Sequence, residues 1–234
     1  MPASQKKIDV YLEQGQKRTF AGAIDWPGWC RAGRDEESAL QALFEYGPRY
    51  QRVLRASRLG FQAPIDLSAF VVMERLKGNA TTDFGAPGLA PSSDSKPVNS
   101  DQLHDFEKIL RACWRALDAS VETAAGQALR TGPRGGGRQV EGILQHLLES
   151  DAGYLNAVGW KLQGDKAKVL DHQLEQIRQS IVTALASSAR GEIPAKGPRG
   201  GLRWTARYFV RRVAWHTLDH AWEIEDRLTP ESLF

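Results

Sequence analysis

Trp215-His216-Thr217-Leu218-Asp219-His220-Ala221-Trp222-Glu223, near the end of the chain, sets two histidines four residues apart inside a segment with helical periodicity. On a helix, side chains at i and i+4 leave one face about one turn apart. Two imidazoles so placed can converge on one divalent metal, at roughly 2.0–2.1 Å each for zinc. The same spacing also suits partly buried histidines that only hydrogen-bond, so H-x-x-x-H alone does not decide. What tips the balance towards a metal is a third histidine, His146, in an equivalent position on an earlier helix.

At 100° per residue, Val210, Val213, Ala214, Ala221, Ile224 and Leu228 form one apolar stripe, with His216 and His220 on its flank. In 140–158, Val140, Ile143, Leu144, Leu147 and Val158 form the stripe, and His146 takes the same flank. Both segments are amphipathic helices that must bury their stripes against partners. The three imidazoles are therefore expected where core meets rim, half withdrawn from water.

Composition limits the remaining classes. A chain of 234 residues fits one large domain or two small ones. The net charge of +3, with both signs interspersed, lends no support to a nucleic-acid partner. No apolar run is long enough to span a bilayer and no signal-peptide core opens the chain, so a cytoplasmic location is expected. Cys30 and Cys113 are too few for a disulfide framework and form no C-x-x-C pair. Cys113 reads as helix packing; Cys30 follows a turn and is open to exposure.

Two regions follow different patterns. From Lys7 the chain reads strand, turn, strand: Ile8, Val10 and Leu12 alternate with polar residues, Gln14-Gly15-Gln16 turns, and Thr19 to Ile24 continues extended. Trp26-Pro27-Gly28-Trp29 is a turn signal. Asp35-Glu36-Glu37-Ser38 opens a helix that Pro48 should kink or divide, and 67–76 is a last strand. The expected module is β-β-α-β over residues 1–77. Between Gly78 and Ser100, three proline-containing clusters predict a linker or surface loop. After it four helices are expected, at about 101–130, 138–162, 166–190 and 204–228. Asp101 is the expected N-cap of the first and Gly132-Pro133 its stop. Short Gly/Pro breaks between them imply an up-down four-helix bundle over 101–234, giving an α+β chain overall.

The order of these elements, with Gln145-His146-Leu147-Leu148-Glu149-Ser150-Asp151 on the second helix and Trp215-His216-Thr217-Leu218-Asp219-His220 on the fourth, resembles the DinB/YfiT-like family of metalloproteins over residues 100–230. The resemblance implies a four-helix bundle with a metal triad of His146, His216 and His220. It also implies thiol-dependent transfer chemistry with a low-molecular-weight thiol. Asp151 matches an acidic position that recurs in such sequences. In the N-terminal half, the run from Phe20 to Leu40 through Pro27-Gly28, Gly33 and Asp35 is similar to HicB-like domains, small modules found in many antitoxin components. This second resemblance implies a fold rather than toxin neutralisation.

Other side chains have two readings each. Asp151 lies in an apolar stripe, where a carboxylate needs a partner; it either orients a ligand histidine or meets a buried arginine. Glu223, one turn beyond the pair, is a general base, a fourth ligand or a rim salt bridge. Asp219 points away from the site, and His104 and His172 match no ligand spacing. Tyr208, Trp215 and Trp222 recur every seven residues, a strip that the N-terminal half or a second copy in a homodimer would cover. Gly132-Pro133-Arg134-Gly135-Gly136 recurs as Gly197-Pro198-Arg199-Gly200-Gly201, each copy leading into a histidine-bearing helix. If those helices run in one direction, both loops crown one bundle end, where Arg134 and Arg199 draw an anionic small-molecule substrate or thiol cofactor to the metal. The bland alternative is a pair of solvated connectors.

Three neutral nitrogens leave room for water or substrate, the catalytic rather than the structural arrangement. The expected protein is thus a metal-dependent thiol S-transferase or hydrolase, with Glu223 and Asp151 as its acid and base. Zinc is the foremost metal, nickel and iron suiting the same donors. The competing class is a non-enzymatic metal-binding or protein-interaction module.

Overall fold

The computed structural model describes residues 6–132, 137–162 and 169–228. The chain is α+β, and it divides into two compact units, 1–97 and 98–234.

In the first unit, β1 (Ile8–Gln14) and β2 (Thr19–Ala23) form an antiparallel hairpin, with Tyr11 opposite Gly22. A third strand, β3 (Cys30–Gly33), pairs antiparallel with β2. It corrects the expected β-β-α-β order: four residues are too few to show alternation, and pairing with β2 is what makes them a strand. Helix α1 (Glu36–Glu45) starts at a capping box in which the Asp35 carboxylate accepts from Ser38 N–H at 2.8 Å. Pro48 stands in the first turn of a separate helix, α2 (Gly47–Leu54), where its missing N–H costs nothing. β4 (Phe70–Lys77) returns parallel to β1, giving the order β3-β2-β1-β4. The Trp-Pro-Gly-Trp turn is part of the core. Trp29 is fully buried, donates its indole N–H to Leu43 O at 2.9 Å and stacks on Tyr50, whose hydroxyl donates to Pro27 O at 2.8 Å.

The segment expected to be a linker from 78 to 100 is mostly folded onto this sheet. It contains α3 (Ala80–Phe84), capped by Asn79, and a 3₁₀ turn at Ser92–Ser95. The wholly buried Glu13 of β1 explains why: its carboxylate accepts from Thr82 Oγ1 at 2.5 Å, Gly88 N at 2.8 Å and Leu89 N at 3.0 Å. Backbone groups that a Gly/Pro-rich stretch leaves unpaired are satisfied by one buried acid.

The second unit holds α4 (Ser100–Thr123), α5 (Val140–Val158), α6 (Leu170–Ala189) and α7 (Ala206–Arg227). Asn99, not Asp101, caps α4, in a capping box with Gln102. The helix ends seven residues before the expected 130. Gly126 adopts φ +75°, and Leu129 and Arg130 bond instead to the Gln139 side chain and to Arg227 O.

Contacts between helix ends fix the directions. Arg207 donates to Gln102 Oε1 at 2.7 Å, and Ser120 to Glu225 Oε1 at 3.2 Å, so α4 and α7 are parallel. Trp204 N–H donates to Ala157 O at 3.0 Å, and Arg227 Nη1 to Arg138 O at 2.8 Å, so α5 and α7 are antiparallel. Leu170 and Asp171 share a cleft with Val140, Leu144 and Val121, which sets the start of α6 beside the start of α5 and the end of α4. The helices run up, down, down, up. The expected common direction for the second and fourth helices is therefore corrected.

Candidate metal centre

α7 is buried on nearly every side along most of its length, and of its residues only Glu225 and Asp226 are exposed. His216 and His220 leave it one turn apart, and His146 approaches from the first half of α5. His216 Nε2 lies 3.2 Å from His146 Nε2 and 3.1 Å from His220 Nε2. Three histidine ligand atoms thus share one small volume, within 4.8 Å of one another. Two nitrogens bound tetrahedrally at zinc distances are about 3.3–3.4 Å apart, so the spacing is close to that of a coordination polyhedron. Hydrogen bonding alone does not account for it, because one His216 Nε2 cannot satisfy two other Nε2 atoms at once.

The tautomer of His220 follows from its partner. His220 Nδ1 lies 2.7 Å from Glu223 Oε2, and a carboxylate only accepts, so Nδ1 carries a hydrogen, which in the neutral imidazole leaves the lone pair at Nε2. Glu223 Oε1 accepts from Arg227 Nη1 at 2.7 Å. Arg227 in turn donates to Arg130 O at 2.7 Å and Arg138 O at 2.8 Å. Hydrogen bonding to His220, more than any other cause, holds the Glu223 carboxyl below its ordinary range. Both Glu223 oxygens are engaged, the position of a group that orients a ligand histidine.

Burial, and then the positive potential of His220 and His146, pushes His216 well below the usual imidazole range; burial and His220 lower His146 in the same way. Neutral imidazoles are the form a metal requires. His216 and His220 are 6% and 8% exposed, more enclosed than the half-buried rim position expected, while His146 is the more accessible member. Trp215 stacks on the His216 ring and Tyr154 meets its edge, each at 5.8 Å between centroids. The buried Arg212 guanidinium lies 4.9 Å from the Trp215 ring and donates to Tyr154 Oη at 3.2 Å. Arg212, Tyr154, Arg227 and Arg138 were not singled out from sequence. The available signal was spacing: Arg212 precedes His216, and Arg227 follows Glu223, by one helical turn.

Asp151 is buried in the bundle and makes no hydrogen bond to the three histidines; its Oδ1 has no hydrogen-bond partner among the described residues. Burial raises its carboxyl to about 7, with Arg178 opposing the shift. His104 and His172 are exposed, and Asp219 is half-buried. Tyr208, Trp215 and Trp222 are all buried, as are Cys30 and Cys113. Arg199 is exposed, and Arg134 lies outside the described residues. Residues 133–136 of the first glycine-rich copy lie outside the described residues, and the described residues that follow the two copies do not share one end of the bundle. Arg138, leaving the first, is near the end of α7, whereas Arg203, leaving the second, lies against Gly159 at the end of α5. The antiparallel course of α5 and α7 separates them.

Among the described residues no helix is long and apolar enough to cross a membrane. No family model, curated protein or solved structure matches this chain.

Proposed function

We propose that this chain is a DinB-like metalloprotein in which His146, His216 and His220 hold one divalent metal, zinc foremost, and that it is a metal-dependent enzyme of the thiol S-transferase or hydrolase type. The observation that carries the reading is the meeting of three imidazole Nε2 atoms 3.1–3.2 Å apart around His216. Such a metal supplies Lewis acidity and lowers the pKa of a bound thiol or water. The chain's own residues do the positioning. Glu223 holds the proton of His220 at Nδ1, Arg227 fixes Glu223, and Trp215 and Tyr154 hold the His216 ring and limit access to it. His146, half-buried, marks the side from which a small-molecule substrate reaches the centre. The HicB-like reading of the first unit belongs to the same proposal and rests on its Pro-Gly turn followed by a β-strand and a capped helix.

Metal content of protein purified without a polyhistidine tag tests the centre. One metal per chain is expected, falling by an order of magnitude or more in the His216→Ala/His220→Ala variant; stoichiometric metal in that variant would falsify the site. One feature favours a non-enzymatic metal-holding module instead, namely that both Glu223 oxygens are already engaged. Turnover of the metal-loaded protein on a panel of thiols, amides and esters separates the readings: none on any member removes the enzymatic one.

A further inference from the structure

The first unit contains a cleft of about 680 Å3, lined by Arg52, Arg55 and Arg58 on its polar side and by Pro48, Leu54 and Phe61 among its apolar residues. That volume suits a small-molecule ligand. No Asp or Glu lines the cleft. None of the three guanidiniums has an ion-pair partner among the described residues. All three arginines are exposed, whereas Leu54 and Phe61 beneath them are 3% and 6% exposed and form a fixed apolar floor. Phe61 is itself braced edge-on by Trp26, Trp29 and Tyr50, at 4.9–5.0 Å between centroids.

The arginines occur every third residue as α2 passes into a 3₁₀ turn at Arg55–Ser57, and the last of them ends that turn. Arg58 adopts φ 58° and ψ 26°, the only left-handed non-glycine among the described residues. Glycine is the unstrained choice there. A side chain kept at a strained position, with its charge beside two like charges and no acid to balance them, is explained if an anion completes the set.

We infer that this cleft binds a polyanionic small molecule of the diphosphate class. The guanidinium forks grip the phosphate oxygens, and the Leu54–Phe61 floor takes an apolar or aromatic body attached to them. This site lies wholly within 48–63 and does not depend on the metal reading.

Calorimetric titration of the full chain with ADP, inorganic pyrophosphate and adenosine at low salt, where screening is weakest, tests the inference. ADP and pyrophosphate should each bind one per chain and adenosine should not; ADP should be the tighter if the floor takes the nucleoside. Arg55→Ala with Arg58→Gly should weaken both by about tenfold or more, the effect of losing two charge-assisted contacts. Arg111→Ala with Arg115→Ala, an equal loss of charge on the exposed side of α4, should change neither. Because Arg58→Gly relieves a left-handed residue, the binding variant should melt no lower than wild type, so lost binding cannot be lost folding. Absence of binding by both anions, or equal weakening in the two double variants, overturns the site.

Discussion

Glu223 shows how one side chain changes role once its neighbours are known. From spacing it was a base, a ligand or a rim ion pair; in the fold its two oxygens are divided between His220 Nδ1 and Arg227. If the three histidines hold a metal as proposed, Glu223→Ala should lower metal affinity by roughly 10–100-fold, the usual effect of losing a carboxylate behind a ligand histidine, while leaving the metal content at saturation unchanged. Unchanged affinity by competition with a chelator would remove the orienting role. Asp151 makes an opposite case, a buried acid with an unsatisfied oxygen. Its folded-state pKa of about 7 lies above the ordinary value of 3.8, with Arg178 and Tyr154 the other ionisable groups that sense it. The folded chain thus holds the proton more tightly than the unfolded one. The resulting stability is complete below pH 3.8 and is lost as pH rises through 7, a difference on the order of 4 kcal/mol. Asp151→Asn should accordingly be more stable than wild type at pH 8, with the gap narrowed to less than half by pH 5 and closed only below about pH 3.8. Denaturant midpoints at the two pH values measure it, and a variant less stable at pH 8 contradicts the account.

At the scale of elements, local chemistry sets helix starts more reliably than helix ends. Asp35, Asn79, Asn99 and Thr205 each cap a helix through a side-chain oxygen. Asn99→Ala should cost about 1 kcal/mol in unfolding free energy, and Asp101→Ala much less, because Asp101 lies in the first turn rather than at the cap. Equal losses at the two positions would restore Asp101 as the cap. The end of α4 was not legible in this way: Gly126 breaks it, and Arg130 and Gln139 then carry the chain through bonds to residues distant in sequence. Helix direction was equally hidden. Amphipathic stripes show that α5 and α7 bury a face, but the same stripe serves parallel and antiparallel neighbours. Only cross-helix bonds such as Trp204 to Ala157 decide it.

For the molecule as a whole, one buried acid explains why a proline- and glycine-rich stretch is folded rather than free. Glu13 accepts from Thr82, Gly88 and Leu89. Glu13→Ala would leave the buried Thr82 hydroxyl unpaired at about 1–3 kcal/mol, together with the half-buried N–H groups of Gly88 and Leu89, and should open 79–95 to a broad-specificity protease that wild type resists there. Identical digestion patterns would show that the stretch is held by other means. The sequence by itself determined the α+β class, the first hairpin, the capped helix after Asp35, four later helices and the three histidines. Each of these rests on short-range rules of period, capping and turn chemistry, which need only neighbouring residues. Tertiary structure alone decided the third strand, the attachment of 78–97 to the sheet, the up-down-down-up course and the chain of bonds from His220 to Arg227. It also set Arg138 and Arg203, the described residues that follow the two glycine-rich copies, at opposite ends of α7, where sequence symmetry had suggested one end. Those features depend on which distant groups become neighbours, and packing of the collapsed chain selects that pairing, because no local spacing records it.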